Sequence, residues 1–182
     1  MIRTIGLLEF NSIAKGIEAA DAMIKAAEVL LLRANSICPG KYIVLIAGDV
    51  GAVKASIEAG LEIGGAFVVD QLVLPRAHPE LIKAIHGTTQ VSRVNALGVI
   101  EFFSIATAIV AADAAAKTAS VELIEIRTGF AIGGKAFVTL TGDVSEVKEA
   151  VEAGTAVGEA SGMLVNRAVI PSPGKELFDM LL

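Results

Sequence analysis

The chain has 182 residues, 54% of them hydrophobic and 19% charged, with a mean hydropathy of +0.68; that composition excludes disorder and is high for a soluble monomer. A net charge of −5, no basic block and few aromatics (seven Phe and Tyr42) exclude the cationic, stacking surface of a nucleic-acid binder. The longest candidate membrane stretch, Phe102 to Ala112, is bounded by Glu101 and Asp113 and falls well short of the ~20 residues needed to span a bilayer.

The surplus apolar surface therefore points to subunit interfaces, which in obligate oligomers resemble a domain core. Met1-Ile2-Arg3 leads directly into a strand pattern with no signal-peptide signature. Cys38 is the one cysteine, so no intrachain disulfide framework exists and a reducing cytosol is expected.

Taken in order, Thr4–Phe10 reads as a short buried strand, and Ser12 is placed to cap the helix after it. In that helix Ile13, Ile17, Ala20 and Ile24 share one face, while Glu18, Asp21 and Lys25 lie on others. Val29–Ala34 is a second strand, leading into Ser36-Ile37-Cys38-Pro39-Gly40-Lys41. Tyr42–Ala47 is a third. Asp49 is a candidate N-cap for a helix carrying Val53, Ile57 and Leu61 on one face, with Gly60 inside it for close packing. Ala66–Leu74 is a fourth strand, closed by Pro75, and Pro79–His86 a short helix. The order is β-α-β-β-α-β, the ferredoxin-like arrangement within the α/β (α+β) class.

Gly87-Thr88-Thr89-Gln90 interrupts the pattern, and then the order restarts. Ile5–Phe10 is echoed by Leu97–Phe102, Ser12-Ile13-Ala14 by Ser104-Ile105-Ala106, and Asp21 with Lys25 by Asp113 with Lys117, all offset by 92. Lys41, Gly48-Asp49-Val50, Glu58, Gly60 and Gly64 recur with an offset of 94, and Pro75 recurs as Pro171. This registered self-similarity is a tandem duplication. Its expected organisation is a first domain over 1–87, a linker over 88–94 and a second domain over 95–182. The change of offset puts a two-residue insertion in the second copy between Lys117 and Lys135.

No catalytic constellation stands out. Gly129–Lys135 nearly fits the phosphate-binding pattern GxxxxGK[ST], but Ala136 replaces the magnesium-binding hydroxyl and a strand pattern follows instead of a helix. His78 and His86 have no Cys, Asp or Glu at metal-ligand spacing and read as surface or satisfied histidines. Glu9 and Glu101 end equivalent strands, an arrangement explained by the shared scaffold. Cys38 has two readings. A free cysteine is most often a small buried hydrophobe, yet a thiol before Pro-Gly sits on a turn. Iron–sulfur clusters need several thiolates, and one per chain becomes several only where a symmetric oligomer gathers the loops, as a threefold ring would.

The stretches IGLLEFNSIAKGIEAADAMIKAA, LIAGDVGAVKASIEAG and LVLPRAHP, with their second-copy counterparts ALGVIEFFSIATAIVAADAAAKTA and LVNRAVIP, resemble the bacterial microcompartment shell domain, and the likeness covers nearly all of both repeats. Two such domains in unpermuted order imply a homotrimer that is a pseudohexamer, tiling a polyhedral shell with other shell proteins, with no enzymatic activity of its own. The resemblance also implies that the loops between second and third strands line a central pore: Ser36, Ile37, Cys38, Pro39 and Gly40 in one copy, Ala131, Ile132, Gly133 and Gly134 in the other.

Within the family, the ICPGK and IGGK loops are similar to those of the iron–sulfur-binding tandem shell proteins of propanediol-utilisation microcompartments. That likeness implies a [4Fe-4S] cluster held by Cys38 from three subunits, passing electrons across the shell and serving an enclosed redox enzyme. It also implies tile-edge contacts at Lys25 and Lys117, and at Arg76 in the first copy only, since the second reads Pro171-Ser172-Pro173-Gly174. Two other readings stand beside it: a metabolite-conducting shell pore without a cluster, and a duplicated ferredoxin-like sensor or enzyme.

Overall fold

The computed structural model describes residues 4–91, 95–129 and 132–177. The first repeat runs β1 (Thr4–Phe10), α1 (Ile13–Ala26), β2 (Leu30–Ile37), β3 (Lys41–Gly48), α2 (Val50–Gly64), a 3-10 turn (Gly65–Phe67), β4 (Val68–Pro75) and α3 (Glu80–His86). The second runs β5 (Ala96–Phe102), α4 (Ile105–Thr118), β6 (Glu122–Thr128), β7 (Ala136–Gly142), α5 (Val144–Ser161) and β8 (Leu164–Ile170). Each repeat forms a four-stranded antiparallel sheet, in the orders β2-β3-β1-β4 and β6-β7-β5-β8. The expected β-α-β-β-α-β order is present in both.

By its contacts the chain divides into two compact units, Met1–Pro79 with Phe130–Gly134, and Glu80–Gly129 with Lys135–Leu182. The helix α3, whose sequence follows on from the first repeat, is thus a member of the second unit, where it packs against β6.

In the first unit α1 and α2 lie against each other and against the sheet. The two central strands carry the core: every residue of β1 is buried, as are Tyr42–Ala47 of β3. Leu8, Phe10, Met23, Val44, Ile46, Val53 and Ile57 form one packed cluster. Small residues set how close the layers come. A Cβ at Gly60 would stand 2.5 Å from Leu8 Cδ1 and 2.7 Å from Met23 Cγ, so α2 crosses α1 and β1 at a distance only hydrogen permits. Ser12 caps α1, its hydroxyl accepting from Lys15 N at 3.4 Å. Asp49 holds the N-cap position of α2 with an extended backbone but makes no side-chain cap bond.

One face differs from its periodicity. Gly16, Ala19, Ala20 and Met23 are the buried residues of α1, while Ile13, Ile17 and Ile24 are 42%, 55% and 44% exposed. The reason is steric. Gly16 faces Tyr42, where a Cβ would meet ring and Cβ atoms at 2.5–2.7 Å. The helix therefore turns its small residues to the sheet and its isoleucines away from it.

Candidate functional site

The loop between β2 and β3 is a tight turn over Cys38-Pro39-Gly40, closed by the cross-strand pair Ile37 and Lys41. Ile37 is buried and anchors the incoming strand. Gly40 has φ +74°, in the left-handed region that glycine occupies without strain, and open space surrounds the position a Cβ would take. Ser36 is exposed, and its carbonyl accepts from Asn35 Nδ2 at 2.8 Å. Cys38 is a free, half-buried thiol, and the Cys38–Pro39 peptide is cis.

The base of the loop is held by charge. Glu9 faces Ile43 across the β1–β3 ladder, and Lys41, two residues before Ile43, shares its face of the sheet. Lys41 Nζ donates to Glu9 Oε1 at 2.6 Å, with the Glu9 side chain only 6% exposed. Such a diagonal neighbour is within reach of a long side chain. The pair gives a buried carboxylate its counter-charge, without which burial would be costly. The second repeat repeats the device, Glu101 facing Phe137 and pairing with Lys135. The two glutamates thus have a structural role, joining strand and loop in each copy.

The second loop is longer. Ser36 pairs with Tyr42 and Thr128 with Ala136, leaving residues 37–41 between the partners in one repeat and 129–135 in the other. The two-residue insertion therefore lies in the hairpin loop itself. Gly133 (φ +65°) and Gly134 (φ +79°) turn the chain there. Ala131 lies outside the described residues. By its contacts the stretch up to Gly134 belongs to the first unit, where a Cβ on Gly134 would stand 3.0 Å from the Cys38 carbonyl oxygen and 3.1 Å from Pro39 Cδ. The Cys38 turn and the Gly133-Gly134 turn are thus packed side by side.

The residues singled out for edges lie elsewhere. Lys25 pairs with Asp21 at 2.5 Å in the last turn of α1, both side chains largely exposed. Lys117 pairs with Asp113 at 2.5 Å on α4, but there the carboxylate is buried. Arg76 is an exposed turn residue with φ +53°, the one non-glycine with positive φ among the described residues. Periodicity gave no sign of that conformation, which β-branched or bulky residues rarely adopt.

Among the described residues no three His, Cys, Asp or Glu side chains stand together as a metal site, and no helix is long and apolar enough to cross a membrane. Because Cys38 is the one cysteine of the chain, any further thiolate beside it comes from another chain. A free, half-buried thiol on a turn fits the part of one such thiolate ligand.

The family model for the BMC domain matches residues 4–77 and 96–173, one match per repeat. The chain is 43% identical over 182 residues to the bacterial microcompartment shell protein PduT of Citrobacter freundii, covering 100% of this chain and 99% of that one. It is 31% identical over 190 residues to the carboxysome assembly protein CcmO of Synechococcus elongatus, covering 97% of this chain and 68% of the relative. Among solved structures, a microcompartment protein of Desulfitobacterium hafniense superposes with a TM-score of 0.95 at 55% identity, over 98% of this chain and 99% of that one. Proteins of this family are structural shell subunits rather than enzymes, and they associate with other shell proteins. The chain belongs to the BMC-domain family, as a tandem-domain shell protein of bacterial microcompartments.

Proposed function

We propose that this shell subunit works as a homotrimer, a pseudohexamer of six BMC domains, in which three Cys38 loops meet on the axis and bind a [4Fe-4S] cluster. The observation that carries the reading is the position of Cys38: a free thiol at the tip of the β2–β3 turn, in a chain similar over its full length to the shell protein PduT. One thiol per chain suits a site of threefold symmetry, since each copy supplies one ligand. When bound, such a cluster supplies one-electron transfer across the shell, which suits an enclosed redox enzyme in need of an electron path through the wall.

The chain's own residues shape the loop for that role. Ile37 fixes the incoming strand in the core and the Glu9–Lys41 pair fixes the outgoing one, so the thiol is presented from a rigid base. Gly40, with φ +74°, lets the chain turn back directly after the thiol. The isoleucine face of α1, exposed in the single chain, supports assembly, because a patch of this kind marks a protein interface.

Anaerobic purification with iron and sulfide analysis tests the reading. The expected result is one cluster per trimer, lost in Cys38→Ser with the trimer intact. The second reading, a metabolite pore, rests on the same turn, open beside Gly40; a trimer without iron after reconstitution would favour it.

A further inference from the structure

The second unit shows how the outer edge of a repeat is covered. β6 is the edge strand of its sheet, and its Leu123, Ile124 and Ile126 are buried. The helix α3 packs against it, burying Leu81, Ala84 and Ile85. A polar clasp fixes the contact: Glu80 Oε2 accepts a hydrogen bond from Leu123 N at 3.1 Å. Leu123 is where the β6–β7 register shifts, and such a shift leaves a backbone group out of the ladder. The carboxylate satisfies it.

The first unit has the same edge without the cover. β2 is the edge strand, and its pairing with β3 shifts at the matching place, between Leu31 and Arg33. Yet Leu31 is 40% exposed where its counterpart Leu123 is 0% exposed, and Leu30 beside it is 51% exposed. Leu32 and Ala34 are half-buried where Ile124 and Ile126 are fully so. An exposed apolar edge strand is a template for pairing with another chain.

The sequence contains a second copy of the covering element. Glu80-Leu81-Ile82-Lys83-Ala84-Ile85-His86 follows Pro75 after β4; Glu176-Leu177-Phe178-Asp179-Met180-Leu181-Leu182 follows Pro171 after β8. Both begin with Glu-Leu and place apolar residues third, fifth and sixth. Residues 175–177 are already helical, and Leu177, the counterpart of buried Leu81, is 47% exposed. Leu177 and the β2 edge at Leu30 and Leu31 are therefore both exposed in the single chain.

We propose that residues 175–182 of one copy dock on β2 of a second copy, with Glu176 accepting from Leu31 N and the apolar side chains covering Leu30 and Leu31. This rests on the trimer reading: each copy donates one segment and receives one, a head-to-tail contact that closes into a ring.

The test places a benzophenone amino acid at Phe178 in the full-length protein. Ile82, its counterpart, is only half-buried, so the probe reaches the partner without displacing the central contacts. Copies labelled with ¹⁴N and ¹⁵N are unfolded together, reassembled and irradiated. The expected product links the probe to the peptide containing Leu30–Leu32, with mixed-label masses. In parallel, Leu177→Asp is expected to raise the concentration at half-dissociation at least about tenfold, with the secondary structure of the chain unchanged. A trimer whose cross-links fall elsewhere, or carry one label only, overturns the docking and leaves the trimer standing. A wild-type monomer by mass overturns both.

Discussion

The Lys41 ammonium stands 2.6 Å from the Glu9 carboxylate, joining the residue after the thiol-bearing turn to the central strand of its sheet. Glu9 is nearly inaccessible to water, so the bond is worth most when considered from the side of its loss. Lys41→Met is expected to lower stability by about 3–5 kcal/mol, because it leaves a buried charge without its partner. Glu9→Gln with Lys41→Met is expected to recover part of that loss. Urea unfolding of the single and double variants measures both, and equal losses in the two would contradict the assignment.

The two lysines at matching positions of the repeats are not equivalent. Lys25 and Asp21 are both solvent-exposed, whereas Asp113 beside Lys117 is buried. Lys25→Ala is therefore expected to change stability by less than about 1 kcal/mol, as for surface pairs. Lys117→Ala is expected to cost more than Lys25→Ala, by about 1 kcal/mol, because it removes the counter-charge of a buried carboxylate. Denaturant midpoints of the two variants, measured side by side, check the order; the reverse order would refute it. Electron microscopy of the sheets formed by each variant separates this from any role at tile edges, where Lys25→Ala should act.

Glycines on one helix offer a second contrast. Gly60→Ala would force a Cβ to within 2.5 Å of Leu8 Cδ1, while the same change at Gly51 meets nothing within 4 Å. Gly60→Ala is expected to destabilise by about 1–3 kcal/mol through overpacking. Gly51→Ala, at the exposed start of α2, is expected to stabilise by up to about 1 kcal/mol from helix propensity. Thermal melts of both variants decide it.

Much of the fold was legible in the sequence because duplication prints every element twice. Registered identities such as Gly48-Asp49-Val50 with Gly142-Asp143-Val144 mark the same strand-to-helix corner in both repeats. The face of α1 was not legible. Ile13, Ile17 and Ile24 do share a face, but periodicity does not say what covers it, and Gly16 against Tyr42 claims the sheet side instead. β2 runs on to Ile37, past the expected end at Ala34, because an edge strand accommodates the polar Asn35 and Ser36. The unit to which α3 belongs was hidden too, since the Glu80–Leu123 bond joins residues far apart in sequence. At the candidate site, sequence placed Cys38 on a turn and the insertion near its partner loop. Register then narrowed the insertion to residues 129–135. The close approach of Gly134 to the Cys38 carbonyl is a tertiary contact that no local pattern encodes.

The exposed isoleucines of α1 give a prediction about assembly alone. Ile17→Asp removes no contact of the single chain's core, since Ile17 is more than half-exposed. Its secondary structure is expected to be retained, while the mass in solution falls from a trimer of roughly 56 kDa, three times 18.7 kDa, toward the monomer. Light scattering over a concentration series checks this, and an unchanged trimer would show that this face lies outside the interface.

The most direct measurement is the iron and acid-labile sulfide content of the anaerobically reconstituted protein, read against its oligomeric mass. Four irons and four sulfides per three chains, absent from Cys38→Ser trimers, are the result predicted for a cluster held by three copies of one turn. A wild-type trimer that keeps no iron after reconstitution, or a Cys38→Ser trimer that keeps as much as wild type, would contradict it.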